Sequence, residues 1–263
     1  MRLAELFAMP DVSRRTWQVW QRNKDVFLKT FKVNFLPPIA EPILYLAALG
    51  FGLGIFVKEI DGVPYPEFIA PALIAITIMT ASFFECTYAS FVRMYYQKTF
   101  DAIVATPLNV DEVITGEILW GATRSTISAT IVLGVVTAFG LVQSWLALLI
   151  IPFSFLGGLL FASIAMCFTA VTPKIDNLNY PTSLFITPMF LVSGTFFPLS
   201  ALPSGVQAFA NAAVPLVHVV DITRALTLGH LELDLVWSLL WIFVATVVFF
   251  VLSLNLMKRR LIL

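Results

Sequence analysis

Long apolar runs separated by short polar stretches make up most of this 263-residue chain. A helix needs about 20 mostly apolar residues to cross the hydrocarbon core of a bilayer. The segments that meet this requirement are 36–57, 67–92, 113–138, 144–171, 179–198 and 235–257. Their apolar runs are continuous and lack the apolar–polar alternation that is typical of an outer-membrane β-barrel. The pattern therefore predicts an all-α polytopic membrane protein with six transmembrane helices.

The composition agrees with this class, because hydrophobic residues make up 59% of the chain and charged residues 12%. A soluble domain carries about 25% charged residues. The six segments leave no room for a second soluble domain, so residues 1–263 are predicted to form a single membrane domain. Within it we expect a cytoplasmic interfacial segment at 1–35, the six-helix membrane domain at 36–257 and a cytoplasmic tail at 258–263.

The positive charges are unevenly divided between the two sides that this topology defines. Seven of the 16 Lys and Arg residues precede the first span, and Lys258, Arg259 and Arg260 follow the last. Lys58 and Arg224 fall on the opposite side. Because Lys and Arg concentrate in cytoplasmic loops, we expect both termini to be cytoplasmic.

Residues 15–32 are predicted to form an amphipathic helix before the first span. At 100° per residue, its aromatic side chains lie on one face and its cations on the other. The aromatic face comprises Trp17, Trp20, Phe27, Leu28 and Phe31, and the cationic face comprises Arg15, Arg22, Lys29 and Lys32. Such a helix lies in the membrane interface with its cations toward anionic head groups. Two roles stay open, a simple anchor and a gate or docking element.

The sequence lacks catalytic and nucleotide-binding patterns. It contains no Gly-Lys pair and hence no phosphate-binding loop. The two histidines, His218 and His230, lie in the predicted outer loop without a cysteine or carboxylate pattern, so we expect neither a metal site nor a cofactor in this chain. The sequence thus predicts a membrane component that cannot by itself use ATP, and we expect ATP hydrolysis in a separate subunit and no enzymatic activity in this chain.

Glu85, Glu117 and Arg124 are charged residues within the predicted spans. A charge there costs several kcal/mol unless it is paired or hydrated. At 1.5 Å per residue, Glu85 and Arg124 lie roughly 12 and 16 Å from the cytoplasmic ends of spans two and three, so the two can meet. Glu117 lies seven residues before Arg124 and shares its helix face. Two interpretations stay open, a structural Glu85–Arg124 pair and the polar lining of a conduit.

Two connections between the spans are longer than a tight turn. Residues 93–112 form a polar cytoplasmic connection whose middle can make a short helix that ends at Pro107. That helix is either a contact for a cytoplasmic partner or a plain connector. Residues 199–234 are divided by prolines. Within them, 206–214 is predicted to be re-entrant or interfacial on the outer face, and 215–228 forms a second outer segment.

Three groups of residues resemble the permeases of type-2 ABC exporters, along nearly the whole chain. The first joins Phe51-Gly52-Leu53-Gly54 to Asp61-Gly62-Val63. The second is Gln97-Lys98-Thr99-Phe100-Asp101-Ala102, then Thr106-Pro107-Leu108 and Gly116-Glu117. The third combines Thr187-Pro188-Met189, Ser193-Gly194, Phe197-Pro198, Leu202-Pro203 and Pro215-Leu216 with His218, Asp221 and Arg224. Within the family, these residues are most similar to permeases that export nodulation factors, which are lipooligosaccharides.

The resemblance implies a homodimer of six-helix subunits with two separate cytoplasmic ATPase subunits, which would hold the ATP and Mg²⁺. It assigns the ATPase contact to the N-terminal helix and to residues 97–108, where Asp101 replaces the Glu that relatives more often carry. It assigns an outer re-entrant region between helices five and six to Phe197, Pro198, Pro203, Pro215, His218, Asp221 and Arg224. It also implies export of a lipid-linked oligosaccharide or polysaccharide across a bacterial inner membrane.

One principal hypothesis and two alternatives follow. In the principal hypothesis, ATP binding by the partner moves residues 97–108 and opens a lateral path through which an amphipathic glycolipid is exported. The first alternative is export of a hydrophobic drug or peptide antibiotic by the same kind of complex. The second is a non-transporting membrane scaffold or lipid-modifying enzyme, which would lack an ATPase partner and would tolerate changes at Phe100, Asp101 and Pro107.

Overall fold

A computed structural model describes residues 9–60 and 62–262 as a series of packed helices. The helices are α1 (Thr16–Lys29), α2 (Phe31–Tyr45), α3 (Tyr65–Phe84), α4 (Thr99–Val104), α5 (Val110–Ala138), α6 (Ile150–Val171), α7 (Asn179–Pro181), α8 (Thr187–Val192), α9 (Ser204–Ala213), α10 (Pro215–Leu228) and α11 (Asp234–Ile262). Strands β1 (Glu59–Ile60) and β2 (Val63–Pro64) pair antiparallel between α2 and α3.

Tighter or wider helical turns lengthen several of these helices. They are Leu46–Gly52 and Leu53–Ile55 after α2, Glu85–Ala89 and Val92–Tyr96 after α3, Trp145–Leu149 before α6, and Thr182–Ile186 between α7 and α8. The stretches after α3 are π-helical, a form that occurs mostly as single turns inserted in α-helices. They carry the helix of the second span beyond its apolar run.

Among the described residues, five helical segments are long and apolar enough to cross a membrane. They are Leu36–Ile55, Tyr65–Tyr96, Val110–Ala138, Trp145–Val171 and Asp234–Leu261. They coincide with five of the six predicted spans and confirm the all-α, multi-pass membrane class. The second is longer than predicted, so Arg93 lies within a helix and not in the polar connection where the sequence placed it.

The predicted fifth span, 179–198, has different bounds in the structure. Its helical pieces of 3, 5 and 6 residues follow one another without a gap and continue the 3-10 turn Ile175–Leu178. The helical run therefore begins before residue 179 and ends at Val192. Pro181 and Pro188 provide no amide hydrogen for the helix. Gly194, at φ 70°, then turns the chain away. The predicted boundary at residue 198 is therefore wrong.

The helices α9 and α10 form a bent pair between α8 and α11. Their axes differ by 88°, and the break falls at Val214. Pro215 occupies the first turn of α10, where its missing amide hydrogen costs no helical bond. Pro203 is the residue immediately before α9. The division of this region into two short segments is thus confirmed, and α10 packs against α3 and α11.

The centre of the bundle is the place where α3, α5 and α6 meet. Glycines allow the helices to approach closely there. A Cβ atom at Gly121 would lie 2.6 Å from Cys86 Sγ, and one at Gly158 would lie 2.9 Å from Ala122 Cα. Small residues at such crossings permit the dispersion contacts that hold helices together in lipid.

Gly158→Ala is expected to lower the free energy of unfolding by about 1–3 kcal/mol, because its methyl group overpacks the contact with α5. Unfolding of the detergent-solubilised chain, followed by tryptophan fluorescence, measures the change. Gly134→Ala is the matched control, because it lies in α5 with no described atom within 4 Å of the added Cβ. The control can gain roughly 1 kcal/mol of helix propensity. Equal stability of the two variants would contradict the close-packing argument.

Candidate functional site

A cluster of buried charges joins the π-helical end of α3 to the first third of α5. Arg93 Nη1 donates to Glu85 Oε1 at 2.8 Å, and Arg93 Nε and Nη2 donate to Glu117 Oε2 at 2.9 and 2.5 Å. Ser90 Oγ donates to the same Glu117 oxygen at 2.7 Å. The Glu117 side chain is fully buried. Buried ion pairs persist when additional hydrogen bonds satisfy their remaining polar atoms, and Arg93 provides such bonds to both carboxylates.

Asn23 attaches α1 to this cluster. Its Nδ2 donates to Glu117 Oε1 at 2.8 Å, and its Oδ1 accepts from Arg22 Nη2 at 2.7 Å. Burial lowers the pKa of Arg22 below its ordinary value, and the carboxylate of Glu117 acts in the opposite direction. Oε1 of Glu117 thus accepts a hydrogen bond from α1, while Oε2 accepts hydrogen bonds from the π-helical residues that follow α3.

Arg124 lies at the edge of the cluster. Its Nε is 3.6 Å from Glu85 Oε2, whereas Arg93 makes a direct hydrogen bond to the other oxygen. Trp120 Nε1 also donates to Glu85 Oε1, at 3.1 Å. The guanidinium of Arg124 lies over the ring of Phe27, with Cζ 4.7 Å from the centroid. The predicted Glu85–Arg124 pair is therefore one ion contact in a network centred on Arg93.

The helix α1 packs along α5 through a close backbone approach and aromatic contacts. A Cβ atom at Gly116 would lie 2.6 Å from Val19 Cβ, so a side chain there would push α1 away. Trp20 Nε1 donates to Thr123 Oγ1 at 2.9 Å. Of the predicted aromatic face, Trp20 thus turns toward α5.

The other members of that face differ in their surroundings. Phe27 is buried and meets Trp120 with ring centroids 5.6 Å apart. Trp17 stacks on Trp20 at 4.1 Å and remains 53% exposed. Phe31 begins α2, and its side chain lies outside the described part of the chain. The aromatic stripe is therefore divided between an intramolecular contact and an exposed surface.

The predicted ATPase-contact segment, residues 97–108, contains the short helix α4. Lys98 precedes it at φ 53°, a left-handed conformation that is strained for a residue with a Cβ atom. Phe100 is fully buried, whereas Asp101 is exposed and pairs with Lys98 at 3.8 Å. Of the remaining predicted contact residues, Gln97, Thr106 and Pro107 are exposed, and Thr99 and Leu108 are half-buried. Phe100 therefore anchors the segment in the core, while most of the other predicted contact side chains are exposed on the protein surface.

The N-terminal segment and the last helix converge on the start of α5. Asp111 Oδ2 accepts from the backbone amide of Asp11 at 2.7 Å and pairs with Lys258 Nζ at 2.6 Å. Arg15 Nη1 donates to the Pro107 carbonyl at 2.7 Å. Asp11 and Arg15 near the N-terminus and Lys258 near the C-terminus therefore contact residues 107–111, which directly follow the segment that contains α4.

Arg224 of the predicted outer region holds the turn after α8. Its Nη2 donates to the Gly194 carbonyl at 2.9 Å, and its guanidinium lies 4.1 Å from the ring centroid of Phe68. Asp221, one turn earlier on α10, is exposed. Phe197 is half-buried in that turn. Arg224 thereby ties α10, α3 and the turn together.

His218 faces the last helix from α10. Its ring stacks on Trp241 with centroids 4.6 Å apart, and its Nδ1 lies 3.0 Å from Ser238 Oγ. These contacts join α10 to α11.

Pro198, another residue of the predicted outer region, precedes a 3-10 turn, Leu199–Ala201, which leads to α9.

Comparison with known proteins decides the family. The model of a family described as "ABC-2 type transporter" matches residues 14–228. The chain belongs to this family. The match includes α1, the charge cluster, α4 and the bent pair. The family implies ATPase partners, so the chain is the membrane permease of an ABC transporter and not an enzyme in its own right.

Individual relatives support the same assignment. The chain is 37% identical to nodulation protein J of Rhizobium leguminosarum bv. trifolii over 97% of each chain. It is also 37% identical to nodulation protein J of Rhizobium meliloti (strain 1021) over 92% of each. Its identity to the inner membrane transport permease YadH of Escherichia coli (strain K12) is 24%, over 92% of this chain and 93% of that protein. The resemblance to type-2 ABC exporter permeases is confirmed.

Sequence reasoning missed Arg93 and Asn23 as members of the site. Arg93 follows the apolar run and was assigned to a connection. The available signal was its distance from Glu85, eight residues or about two helical turns, which matters only if the helix continues. Asn23 contacts Glu117 across 94 residues of sequence, and helical periodicity carries no information about such a contact.

Arg93→Gln is expected to lower the free energy of unfolding by about 3–5 kcal/mol, because it leaves two buried carboxylates without their shared counter-charge. Lys98→Gln is the matched control, since an exposed ion pair contributes about 0–1 kcal/mol. Denaturant titration in detergent compares the two variants with the parent chain. Similar unfolding midpoints for both variants would show that Arg93 does not hold the cluster together.

Proposed function

We propose that this chain is the permease subunit of an ATP-driven exporter that moves a lipid-linked oligosaccharide or polysaccharide, or a similar amphipathic glycolipid, outward. The single observation that carries the proposal is the similarity to nodulation protein J over 97% of each chain. That similarity covers the spans, α4 and the bent pair, and is not limited to one module. The alternatives of drug export and of a scaffold or enzyme have no comparable observation in their favour.

The proposed assembly contains two copies of this chain and two separate ATPase subunits. Two of the spans leave room for a second copy. Within the most apolar windows of Leu36–Ile55 and Asp234–Leu261, 18% and 17% of the residues are buried inside the chain. Helix faces of this kind are covered in the membrane by lipid or by another helix.

In the proposed mechanism, ATP and Mg²⁺ are bound by the ATPase subunits, and this chain holds no cofactor. The contact is proposed to be the surface of α4 and its flanking residues. Asp101 is exposed on that surface, while Phe100 is buried beneath it. A force applied to α4 would therefore reach the core through Phe100, and would reach the N-terminal segment through Pro107 and Arg15.

The proposed topology places both termini in the cytoplasm of a bacterium, with the chain in the inner membrane. An even number of crossings puts both ends on the same side. The five long segments would be completed by the helical run 175–192, which contains α7 and α8, as the fifth crossing in chain order. The bent pair would lie at the outer face. The concentration of Lys and Arg before the first span and after the last supports this orientation.

Native mass spectrometry of the complex, extracted in mild detergent from its own host, tests the assembly. A mass equal to two copies of this chain plus two ATPase subunits is expected. Additional bound mass would be assigned by fragmentation, and a glycan fragment is expected. A chain or homodimer that is reproducibly free of ATPase in several detergents would refute the exporter assignment.

Asp101→Arg is expected to reduce copurification of the ATPase by about tenfold or more, because reversing a charge at an interface replaces attraction with repulsion. Glu232→Arg is the matched control, since Glu232 is an exposed carboxylate in the loop before α11, on the proposed outer side. Quantitative immunoblotting of ATPase per permease gives the measurement. Equal loss in both variants would mean that the charge reversal acts on folding or expression and not on a coupling surface.

A further inference from the structure

A cavity of about 690 Å³ lies between α1, the π-helical end of α3 and α5. We call it the arginine cavity because Arg22, Arg93 and Arg124 line it. Glu85 is the carboxylate in its wall, and Glu117 stands behind Arg93. The cavity is therefore placed directly against the buried charge cluster.

The charges around this cavity do not balance. Three guanidinium groups are matched by the two carboxylates of the cluster, Glu85 and Glu117, and Arg93 is hydrogen-bonded to both. Within this cavity one positive charge remains in excess, because the exposed carboxylate of Glu41 lines only the adjoining cavity described below. A buried charge without a counter-charge is costly, so the arrangement favours an anion in the cavity.

Two arginines that line the cavity also have donors to spare. Arg22 Nη1 and Arg124 Nε are buried, and neither has a hydrogen-bond acceptor among residues 9–60 and 62–262. Arg124 Nε is 3.6 Å from Glu85 Oε2, which makes an ion contact without a hydrogen bond. A buried donor without an acceptor costs about 1–3 kcal/mol. These two atoms are enclosed by protein, so a ligand would reach the guanidinium groups of Arg22 and Arg124 from the cavity that the two side chains line.

The lining points to an amphiphile and not to a small soluble ion. Phe27, Phe84 and Trp120 provide apolar wall beside the arginines. A second cavity of about 470 Å³, between α2, α3 and α5, shares Phe84, Glu85 and Arg124 with the first. Its other walls are formed by prolines of α2 and by the polar residues Glu41, Thr77 and Thr80. The two cavities thus adjoin at Glu85 and Arg124, and together they offer a charged compartment next to one that lies between membrane spans.

We propose that the arginine cavity binds the phosphate head group of an anionic lipid, with the phosphate oxygens accepting from Arg22 and Arg124 and the acyl chain directed into the second cavity. Guanidinium groups match phosphate in geometry and charge. As the place that receives the charged end of the cargo, the site deepens the proposed export function and in that respect rests on it. The binding itself requires no ATPase.

The test is a titration of the purified full-length chain, in neutral detergent, with phosphatidic acid that carries a fluorescent label on one acyl chain. Saturable binding is expected. Arg22→Gln and Arg124→Gln should each weaken it about tenfold, the loss that corresponds to one charge-assisted hydrogen bond. Lys24→Gln is the matched control, because it removes a cation from α1 that does not line the cavity. Its affinity should match that of the parent chain.

Three further arms decide between ligands. Phosphatidylcholine with the same label should bind about tenfold more weakly, since its head group has no net charge. Millimolar inorganic phosphate should not displace the labelled lipid; if it does, the ligand is a free anion and the lipid assignment is overturned. Unchanged affinity in both arginine variants also overturns the proposal. Arg22 is only half-buried, so Arg22→Gln keeps the test valid if Arg124→Gln unfolds.

Failure of this proposal and failure of the exporter assignment give different results. Loss of specific lipid binding would remove the arginine site while leaving copurification of the ATPase unaffected. A complex without ATPase would remove the exporter assignment while leaving the lipid titration unaffected. Asp101→Arg in the isolated chain should bind phosphatidic acid as the parent does, because Asp101 is exposed on α4 and outside the cavity.

Discussion

The bonds from Arg93 to two buried carboxylates are the interaction on which the surrounding structure depends. Glu85 and Glu117 lie on different helices and would repel each other in a medium of low dielectric constant. A single guanidinium with five donors can serve both carboxylates at once. To do so, Arg93 must be held at a fixed distance from Glu85, which requires the helix of the second span to continue past its apolar run.

The consequences of this constraint extend to both sides of the cluster. On one side, Asn23 satisfies the remaining oxygen of Glu117, so the ion cluster also fixes where α1 docks. On the other side, α4 begins three residues after the π-helical stretch Val92–Tyr96 ends. The position of the proposed coupling helix is therefore linked through a short stretch of chain to the charges inside the bundle. The π-helical stretches lie between the apolar part of the second span and α4, and such turns occur frequently at functional sites.

Close packing elsewhere keeps the cluster enclosed. Gly116 admits Val19 of α1, and Gly121 and Gly158 admit the neighbouring helices at the centre of the bundle. Apolar surface gives no net driving force between helices in lipid, so packing at small residues and polar contacts must supply it. The permease thus combines a tight centre formed by α3, α5 and α6 with a polar cavity under α1. Its outermost helices, α2 and α11, are left with exposed apolar faces.

The sequence by itself determined the membrane class, five of the spans and the division of the outer region by prolines. These features depend on local properties, namely the length of apolar runs and the missing amide hydrogen of proline. The residue groups at 97–108 and 187–224 also led to the family before any contact was known. What the tertiary structure decided were the partners: Arg93 with Glu85 and Glu117, Asn23 with Glu117, and Lys258 with Asp111. It also decided that the helical run of the predicted fifth span ends at Val192, because the chain turns at Gly194. Partners across helices follow from how the helices dock, and docking depends on close approaches at single glycines that no periodic pattern encodes.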